Sequence, residues 1–563
     1  MGTYVNPRSE SMKSAVNSEI YVDKTGLLKV LNKSLNSEKR YFAVSRARRF
    51  GKSMAAGMID AYYSRGCDSR ELFEPYEIAR DPDFEKHLNK YNVLHFDVAS
   101  FYISAQKGED IIPLMDRTLL RSMMEEFPFL EEMNPLTTAE AMYMVYEKDR
   151  HKFIVIIDEY DCIVRDSPDD EKLILDYLRY LRGFFKTEES KQFLALGYIT
   201  GILPIKKVRG ESALNNFREF TMTRPDELVT YFGFTEQEVE GLCKRYRMTL
   251  ESMRKWYDGY YMYAPALEEP CEKGDEGVDG SVRVVRGALM RLWHIYNPNS
   301  LVEALMSHDI MSYWKNTGSF QSLQDFITMN FEGLKDDTVH MLLGGRCKVD
   351  IKRFQNDLTQ FESKDDVMAC LVHMGYLGYD ALKEEAFIPN KEVGEVFEDA
   401  VRRGDWDDVA GALRNSERLL WSVWDLDERR VADTIAASHQ DYASIINYND
   451  ENALSVAIMV SFYTARRYYH VVRELPTGKG YADIVFIPRA DAVSPHLEGP
   501  VPAMIVELKW NRSARAAIKQ IRDRSYTGAL SGHKGEIILV GINYTKKTKK
   551  YTCRIERLGA VHE

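Results

Sequence analysis

Lys52 and Ser53 follow Gly51 after "YFAVSRARRF", a short apolar strand that runs into an arginine-rich turn. A lysine and a hydroxyl at the start of a helix can neutralise the β and γ phosphates of a nucleotide and bind its magnesium ion. The N–H groups of the helix start face the same phosphates. The companion chemistry lies in "FIVIIDEYD", an apolar strand that delivers Asp158 and Glu159 at its C-terminal end, the edge at which open α/β sheets hold ligands. Asp158 is expected to hold the magnesium and Glu159 to orient or deprotonate an attacking water. Thr200, closing the strand "ALGYIT", is a weaker candidate for sensing the γ phosphate, with strand-end hydrogen bonding as the alternative. Arg46 stands where the G-x-x-x-x-G-K-[ST] pattern has its first glycine. A side chain there is expected to hold the backbone off the phosphates.

A second set of reactive residues lies late in the chain, in "GYADIVFI" and "AMIVELKW". Side chains alternate along a strand, so Glu507 and Lys509 share one face while Leu508 points into the core. Asp483 stands on the preceding strand, after the Gly478-Lys479-Gly480 turn of an expected hairpin. Two carboxylates on adjacent strands can hold one or two Mg2+ ions, with Mn2+ as the alternative, and such ions polarise a scissile phosphate. Lys509 can then orient the water or offset charge growing on the phosphate. An exposed edge strand also produces the D...E-x-K pattern. Here the flanks "IVF" and "MIV" mark buried strands instead, and a helix "RAAIKQIRD" with Gln520 follows.

The elements that must carry these residues alternate. Strands and helices succeed one another from about 40 to 225, the pattern of a parallel sheet covered on both faces. Residues 226–395 read as mainly helical without a second strand series, and 264–281, acidic and rich in glycine and proline, as an exposed insertion. Within that region "VMACLVHMGYLGYDALKEEAFIPNKEVGEVF" reads as helix, strand pair, helix: a packing or lid element, or a fragment of a winged helix. Helices continue from 396 to 466. After them "HVVREL", "YADIVFI", "AMIVELKW" and "EIILVGINY" mark a second, smaller sheet. The expected division is 1–225, 226–395 and 396–563, in a chain of 563 residues too long for one core.

With 45% hydrophobic and 29% charged residues, the composition is that of a globular protein, not a disordered or membrane one. A net charge of -11 excludes a generally basic surface, so any nucleic-acid contact must be a local patch. Arg512, Arg515, Lys519, Arg522 and Arg524, followed by Lys546, Lys547, Lys549 and Lys550, supply one. A solvated face is the plainer reading unless reactive residues lie beside them. Seven widely spaced cysteines without a C-x-x-C pair read as buried thiols in a reducing compartment. No apolar run reaches the roughly 20 residues of a membrane span, and the expected location is the cytoplasm.

Taken together, "SRARRFGKS", "SEIYVDKTGLL", "IIDEYD", "GFTEQEVEGL", "WYDGYY", "YNPNSL", "SYWKNTG" and "IPNKEV" resemble, in order and rough spacing, the AAA-ATPase-like family that carries a C-terminal PD-(D/E)XK nuclease domain. The resemblance covers nearly the whole chain. It implies a fold of class α/β: an N-terminal P-loop NTPase parallel sheet, a helical middle and a restriction-endonuclease-like α/β end. In that family the arginine-rich loop is the normal form, with Ala47 here in place of a typical proline, and Arg49, Gly51, Lys52, Ser53, Asp158 and Thr200 are the implied ATP-binding set. Asp483, Glu507, Lys509 and Gln520 are the implied nuclease set, Gln520 matching a polar residue on the helix after the E-x-K strand. Asp483 and Glu507, like Ser53 and Asp158 at the nucleotide, would hold the metal. Glu451 resembles the acidic residue many members place on a first helix, although a helix-start charge explains it better, and Glu474 is at best a neighbour of the metal.

The leading expectation is an ATP-regulated or ATP-driven nuclease acting on DNA or RNA. A nucleotide-switched scaffold that grips nucleic acid or a protein without cutting is the alternative. A nuclease triggered only by a partner is a third reading that sequence does not separate from the first. ATPases of this type often assemble as rings; the sequence shows no convincing arginine finger, and Arg218 in "LNNFREF" is a guess.

Overall fold

The apolar strands of the N-terminal half are buried on both faces, as continuous hydrophobic runs require. The structure is a computed structural model that describes residues 4–105, 109–205, 207–208, 211–212, 214–266, 282–285, 288–314, 320–329, 331–352, 354, 361–403, 407–442, 458–459, 461–476, 481–489, 492, 494–523 and 535–558. Strands β1 (Tyr41–Ser45), β2 (Asn92–Asp97), β3 (Phe153–Asp158), β4 (Leu194–Gly201) and β5 (Arg218–Phe220) form a parallel sheet in the order β2-β3-β4-β1-β5. Tyr41, Ala43, Phe96, Val155 and Ile157 enter the core on one face. Phe42, Val44, Val93, Ile154 and Ile156 enter the core on the other, where the helix Lys52–Tyr63 packs through Ala55, Ala56, Met58 and Ile59.

The middle region carries the helices Glu236–Tyr246, Leu250–Tyr257, Pro298–Ser307 and Lys364–Met374. The region also carries two small antiparallel sheets: the first corrects the expected lack of a second strand series, and the second contains the strand pair expected after residue 363. In one, β9 (Ala288–Tyr296) pairs with β6 (Phe234–Thr235), β7 (Tyr260–Pro265) and β8 (Val282–Val285). The other contains β10 (Cys347–Lys348), β11 (Gly378–Asp380) and β12 (Glu385–Phe387) in the order β10-β12-β11. Strands as short as two residues offer no alternation to read. Residues 267–281 of the expected insertion lie outside the described residues.

A second sheet of five strands closes the chain: β13 (Tyr469–Pro476), β14 (Tyr481–Pro488), β15 (Ala503–Trp510), β16 (Ile537–Thr545) and β17 (Lys550–Leu558), in sequence order. All pairs are antiparallel except β15 with β16. Helices Asp407–Trp424 and Glu428–Tyr442 cover one face through Leu419, Val423, Trp424, Val431 and Ile435. The helix Ala514–Asp523 covers the other through Ile518 and Ile521.

The chain divides into two compact units, residues 1–334 with 344–396 and residues 335–343 with 397–563, so the division falls inside the helix Lys391–Arg403. Cys67, Cys162, Cys243, Cys347, Cys370 and Cys553 are free thiols. Among the described residues, no helix is long and apolar enough to cross a membrane.

Candidate nucleotide and metal sites

Strand parity brings the first set together. On β3, Ile154 and Ile156 face the helix Lys52–Tyr63, so Asp158 faces it too. There its carboxylate meets the hydroxyl of Ser53 in the first helical turn. Asp158 is buried, and burial pushes its pKa above the ordinary carboxylate value, against the pull of Ser53 and His95. Thr200 has the parity of Tyr198 and so lies on this face; its hydroxyl is buried without a hydrogen-bond partner among the described residues.

Lys52 is nearly buried and its Nζ donates to the carbonyls of Arg46 and Ala47, each at 3.1 Å. Burial lowers its pKa, while Glu159, Asp161 and Asp158 work in the opposite sense. Gly51, at φ 87°, caps the helix in the left-handed region that favours glycine, and Arg49 at φ 67° shares that conformation. Arg48, Arg49, Gly51, Lys52, Ser53 and Glu159 line a cleft of about 860 Å³. Tyr21, Phe234 and Val302 also line it.

The expected obstruction by Arg46 is corrected. Its side chain is fully buried, donates from Nη1 to the carbonyls of Ser45 (2.9 Å) and Phe220 (2.8 Å), and lies over the ring of Phe232. It therefore fastens the loop to the end of β5 and does not line the cleft. Ala47 packs against Gly375, where an added Cβ would stand 2.5 Å from that of Ala47. The carbonyl of Arg48 accepts from Asn297 at 3.4 Å, and that of Phe50 from the N–H of Gly233 at 3.1 Å. Phe50 also meets Tyr260 edge to face, and the Tyr260 hydroxyl donates to the Gly375 carbonyl at 2.7 Å. Gly375, the C-cap of the helix Lys364–Met374, thus packs behind the loop.

Four residues of this neighbourhood escaped sequence reading. His95, with the parity of Val93 on β2, meets Asp60 of the loop helix at 2.5 Å. Burial disfavours the charged ring, yet Asp60, Asp158 and Asp97 together raise its pKa. Asp161 Oδ2 accepts from the N–H groups of Ile202 (3.1 Å) and Leu203 (2.9 Å) beyond β4. Arg165 pairs with Glu159, Asp161 and Asp166. The i, i+4 spacing of Asp161 and Arg165 was the available signal. Arg218 lies over Phe42 and Phe220, pairs with Glu227 and is absent from the cleft lining.

The second set converges on the face of β14 and β15 that packs under the helix Ala514–Asp523. Val485 and Ile505 enter that core, so Asp483, Glu507 and Lys509 share their side. The β14–β15 ladder runs from Phe486 opposite Met504 to Ile484 opposite Val506. One step beyond it, Asp483 Oδ2 accepts the N–H of Leu508 at 2.7 Å. Glu507 is fully buried; its Oε1 accepts from Lys509 Nζ at 2.8 Å and from the Gln520 amide. Its Oε2 is buried with no hydrogen-bond partner among the described residues. Burial and the Asp483 carboxylate push Glu507 up to about 7, against the pull of Lys509. An orphaned carboxylate oxygen beside a second carboxylate fits a divalent cation.

Opposite Lys509 on β16 stands Asn543, whose Oδ1 accepts the N–H of Arg512 at 2.8 Å. Lys546 N–H bonds Asn511 at 2.8 Å, which brings the turn holding Lys546, Lys547 and Lys549 to the end of β15. Arg522 is paired with Glu556. Glu451, Arg524 and the turn 477–480 lie outside the described residues, as does the side chain of Glu474.

Glu236, Asp258 and His294 also place ligand atoms within 4.8 Å of one another. Arg254 takes both oxygens of Glu236 at 2.6 Å, and His294 pairs with Asp258 at 2.8 Å, which makes a charge-compensated network the better account of this cluster.

Residues 12–209 match the family described as Predicted AAA-ATPase, and residues 450–553 match the PD-(D/E)XK nuclease superfamily. The chain thus carries an AAA-ATPase-like domain followed by a C-terminal PD-(D/E)XK nuclease superfamily domain. No curated relative matches it.

Proposed function

We propose that the chain is a metal-dependent nuclease, cleaving phosphodiester bonds of cytoplasmic DNA or RNA, whose activity is regulated by ATP bound in the N-terminal cleft. The observation that carries the reading is the buried, unpartnered Oε2 of Glu507 beside Asp483, with Lys509 and Gln520 fixed on the neighbouring oxygen. Asp483 and Glu507 would hold Mg2+ or Mn2+, which would polarise the scissile phosphate and lower the pKa of a bound water. Gln520 sets the orientation of Glu507. Lys509 is placed to orient water or to offset charge growing on the phosphate. Lys546, Lys547, Lys549 and Arg512, exposed around the end of β15, suit a phosphate backbone contacted without base reading.

At the other site, Lys52, Arg49 and the N–H groups at the helix start would take the phosphates. Ser53 and Asp158 would hold the magnesium. Thr200 lies on the same face as a candidate for sensing the γ phosphate. The Lys52 ammonium now rests on two loop carbonyls, the same carbonyl-bearing loop that the middle region grips from behind. Exchange of that ammonium onto phosphate changes what the loop presents to Gly375 and Asn297, a physical route by which nucleotide is felt outside the cleft.

Cleavage of labelled DNA and RNA with Mg2+ or Mn2+, with and without ATP, tests the reading. Glu507→Ala and Lys509→Ala are expected to abolish cleavage and leave nucleotide binding intact. No cutting of any substrate with either ion would refute it.

A further inference from the structure

Arg165 belongs to the short helix Cys162–Asp166 that follows the acidic end of β3, and it lines the same cleft as Lys52, Ser53 and Glu159. Its Nη1 lies 3.2 Å from Glu159 Oε2 and 3.3 Å from Asp161 Oδ2, and its Nε 3.0 Å from Asp166 Oδ1. These three contacts are not equivalent. Asp161 is buried and fixed by the N–H groups of Ile202 and Leu203, and with Asp166 it anchors the guanidinium. Glu159 is the partner that lines the cleft, which neither Asp161 nor Asp166 does, and it stands on a backbone held at φ 48°. In this arrangement the Arg165 guanidinium occupies the carboxylate of the residue expected to act on water.

Burial alone would lower the pKa of Arg165, but Asp161, Asp166 and Glu159 raise it overall, which keeps the side chain a permanent cation. A planar fork held on two sides can exchange a third carboxylate for a phosphate oxygen without leaving its place.

We propose that Arg165 is a catalytic residue acting in cis on the terminal phosphate of ATP: it exchanges Glu159 for a γ-phosphate oxygen, and the released Glu159 becomes the proton acceptor. The proposal rests on the reading of the cleft as an ATP site. In the step served, the water oxygen bonds to the γ phosphorus while the bond from that phosphorus to the β,γ-bridging oxygen breaks. That electron pair leaves with ADP, and the water proton passes to the Glu159 carboxylate. An arginine within the chain would supply in cis the cation for which the sequence offered no convincing finger. The exchange also makes the cleft distinguish ATP from ADP, because ADP has no terminal phosphate to draw the guanidinium away.

The test uses the full chain with Mg2+, fluorescent ATP and ADP analogues for affinity, and single-turnover hydrolysis for rate. Arg165→Ala would strand the buried Asp161 without its cation and is expected to unfold the unit, so Arg165→Lys, which keeps the charge and loses the fork, carries the test. The expected result is ADP affinity within about threefold of wild type and an unchanged melting curve. ATP affinity should fall about tenfold and hydrolysis by on the order of 10³-fold. ATP and ADP affinities that stay equal to wild type, that fall together, or hydrolysis that speeds up would each overturn the proposal. Lys52→Ala is the control for the underlying reading. If it binds ATP as well as the wild type does, or the wild type binds neither nucleotide, the cleft is not the ATP site and both readings fall. If Lys52→Ala loses binding while Arg165→Lys matches wild type, only the role of Arg165 falls.

Discussion

Glu507 concentrates the chemistry of the second site in one side chain. With the site free of ions, burial and Asp483 hold its carboxyl near 7, so below that pH an incoming cation must expel a proton. Apparent Mn2+ affinity is therefore expected to fall about tenfold for each pH unit below 7 and to level off above it; isothermal titration between pH 5.5 and 8.5 measures this. A flat profile would mean that Glu507 is not a ligand. The same shift has a sign for stability. The unfolded carboxyl ionises near its ordinary 4.5 and the folded one near 7, so the ion-free protein gains stability from this group as pH falls from 7 to 4.5. Glu507→Gln should remove that slope as well as cleavage, and pH-dependent melting of the two proteins compares them. His373 has the opposite sense. It is buried with its pKa pushed down to about 4, so its contribution is present above its unfolded value near 6.5 and lost as pH falls towards 4, at about 1.4 kcal/mol per unit.

Elements decide whether these residues can meet. The helix Ala514–Asp523 approaches β16 closely enough that a Cβ on Gly541 would stand 2.4 Å from the Ala514 carbonyl. Gly541→Ala should displace the helix bearing Gln520 and reduce cleavage without touching a ligand, which steady-state cleavage assays would show. In the N-terminal unit, Gly375 combines φ 84° with contact against Ala47. Gly375→Ala is expected to cost roughly 2 to 4 kcal/mol and to weaken nucleotide binding, read by thermal melting and nucleotide titration. What the sequence disclosed follows the same physics. "FIVIID" and "AMIVELKW" announce themselves because continuous apolar runs can only be buried strands, and parity then assigns Asp158, Glu507 and Lys509 to their faces. Arg46 was misread because a pattern states which residue is customary, not where a long side chain can go; its guanidinium finds the Phe220 carbonyl across the sheet, a partner 174 positions away in sequence. His95 was missed because its role arises from Asp60 on a neighbouring helix, which no local spacing encodes, whereas Arg165 had a local signal in its i, i+4 spacing from Asp161.

At the scale of the first unit, the motifs quoted from the sequence bond to one another across long stretches of chain. Lys24 of "YVDKT" bonds Glu238 of "GFTEQEVEGL" at 2.7 Å, and Glu238 closes the capping box of the helix Glu236–Tyr246. Asn390 of "IPNKEV" donates to the Asp258 carbonyl of "WYDGYY" at 2.8 Å, and Glu392, pushed up to about 7 by burial, accepts the N–H groups of Tyr313 and Trp314. Glu392 also stands at the start of the helix within which the chain passes from the first unit to the second. ATP regulation is accordingly expected to survive substitutions on the cleft rim and to be lost when Lys52 or these clamps are changed. The most direct measurement is cleavage of end-labelled DNA and RNA by the purified full chain with Mn2+, with and without ATP, for wild type, Glu507→Gln and Lys52→Ala. The account predicts cutting by wild type that changes with ATP, no cutting by Glu507→Gln, and ATP-insensitive cutting by Lys52→Ala. Cutting by Glu507→Gln at the wild-type rate, or none by any of the three, would contradict it.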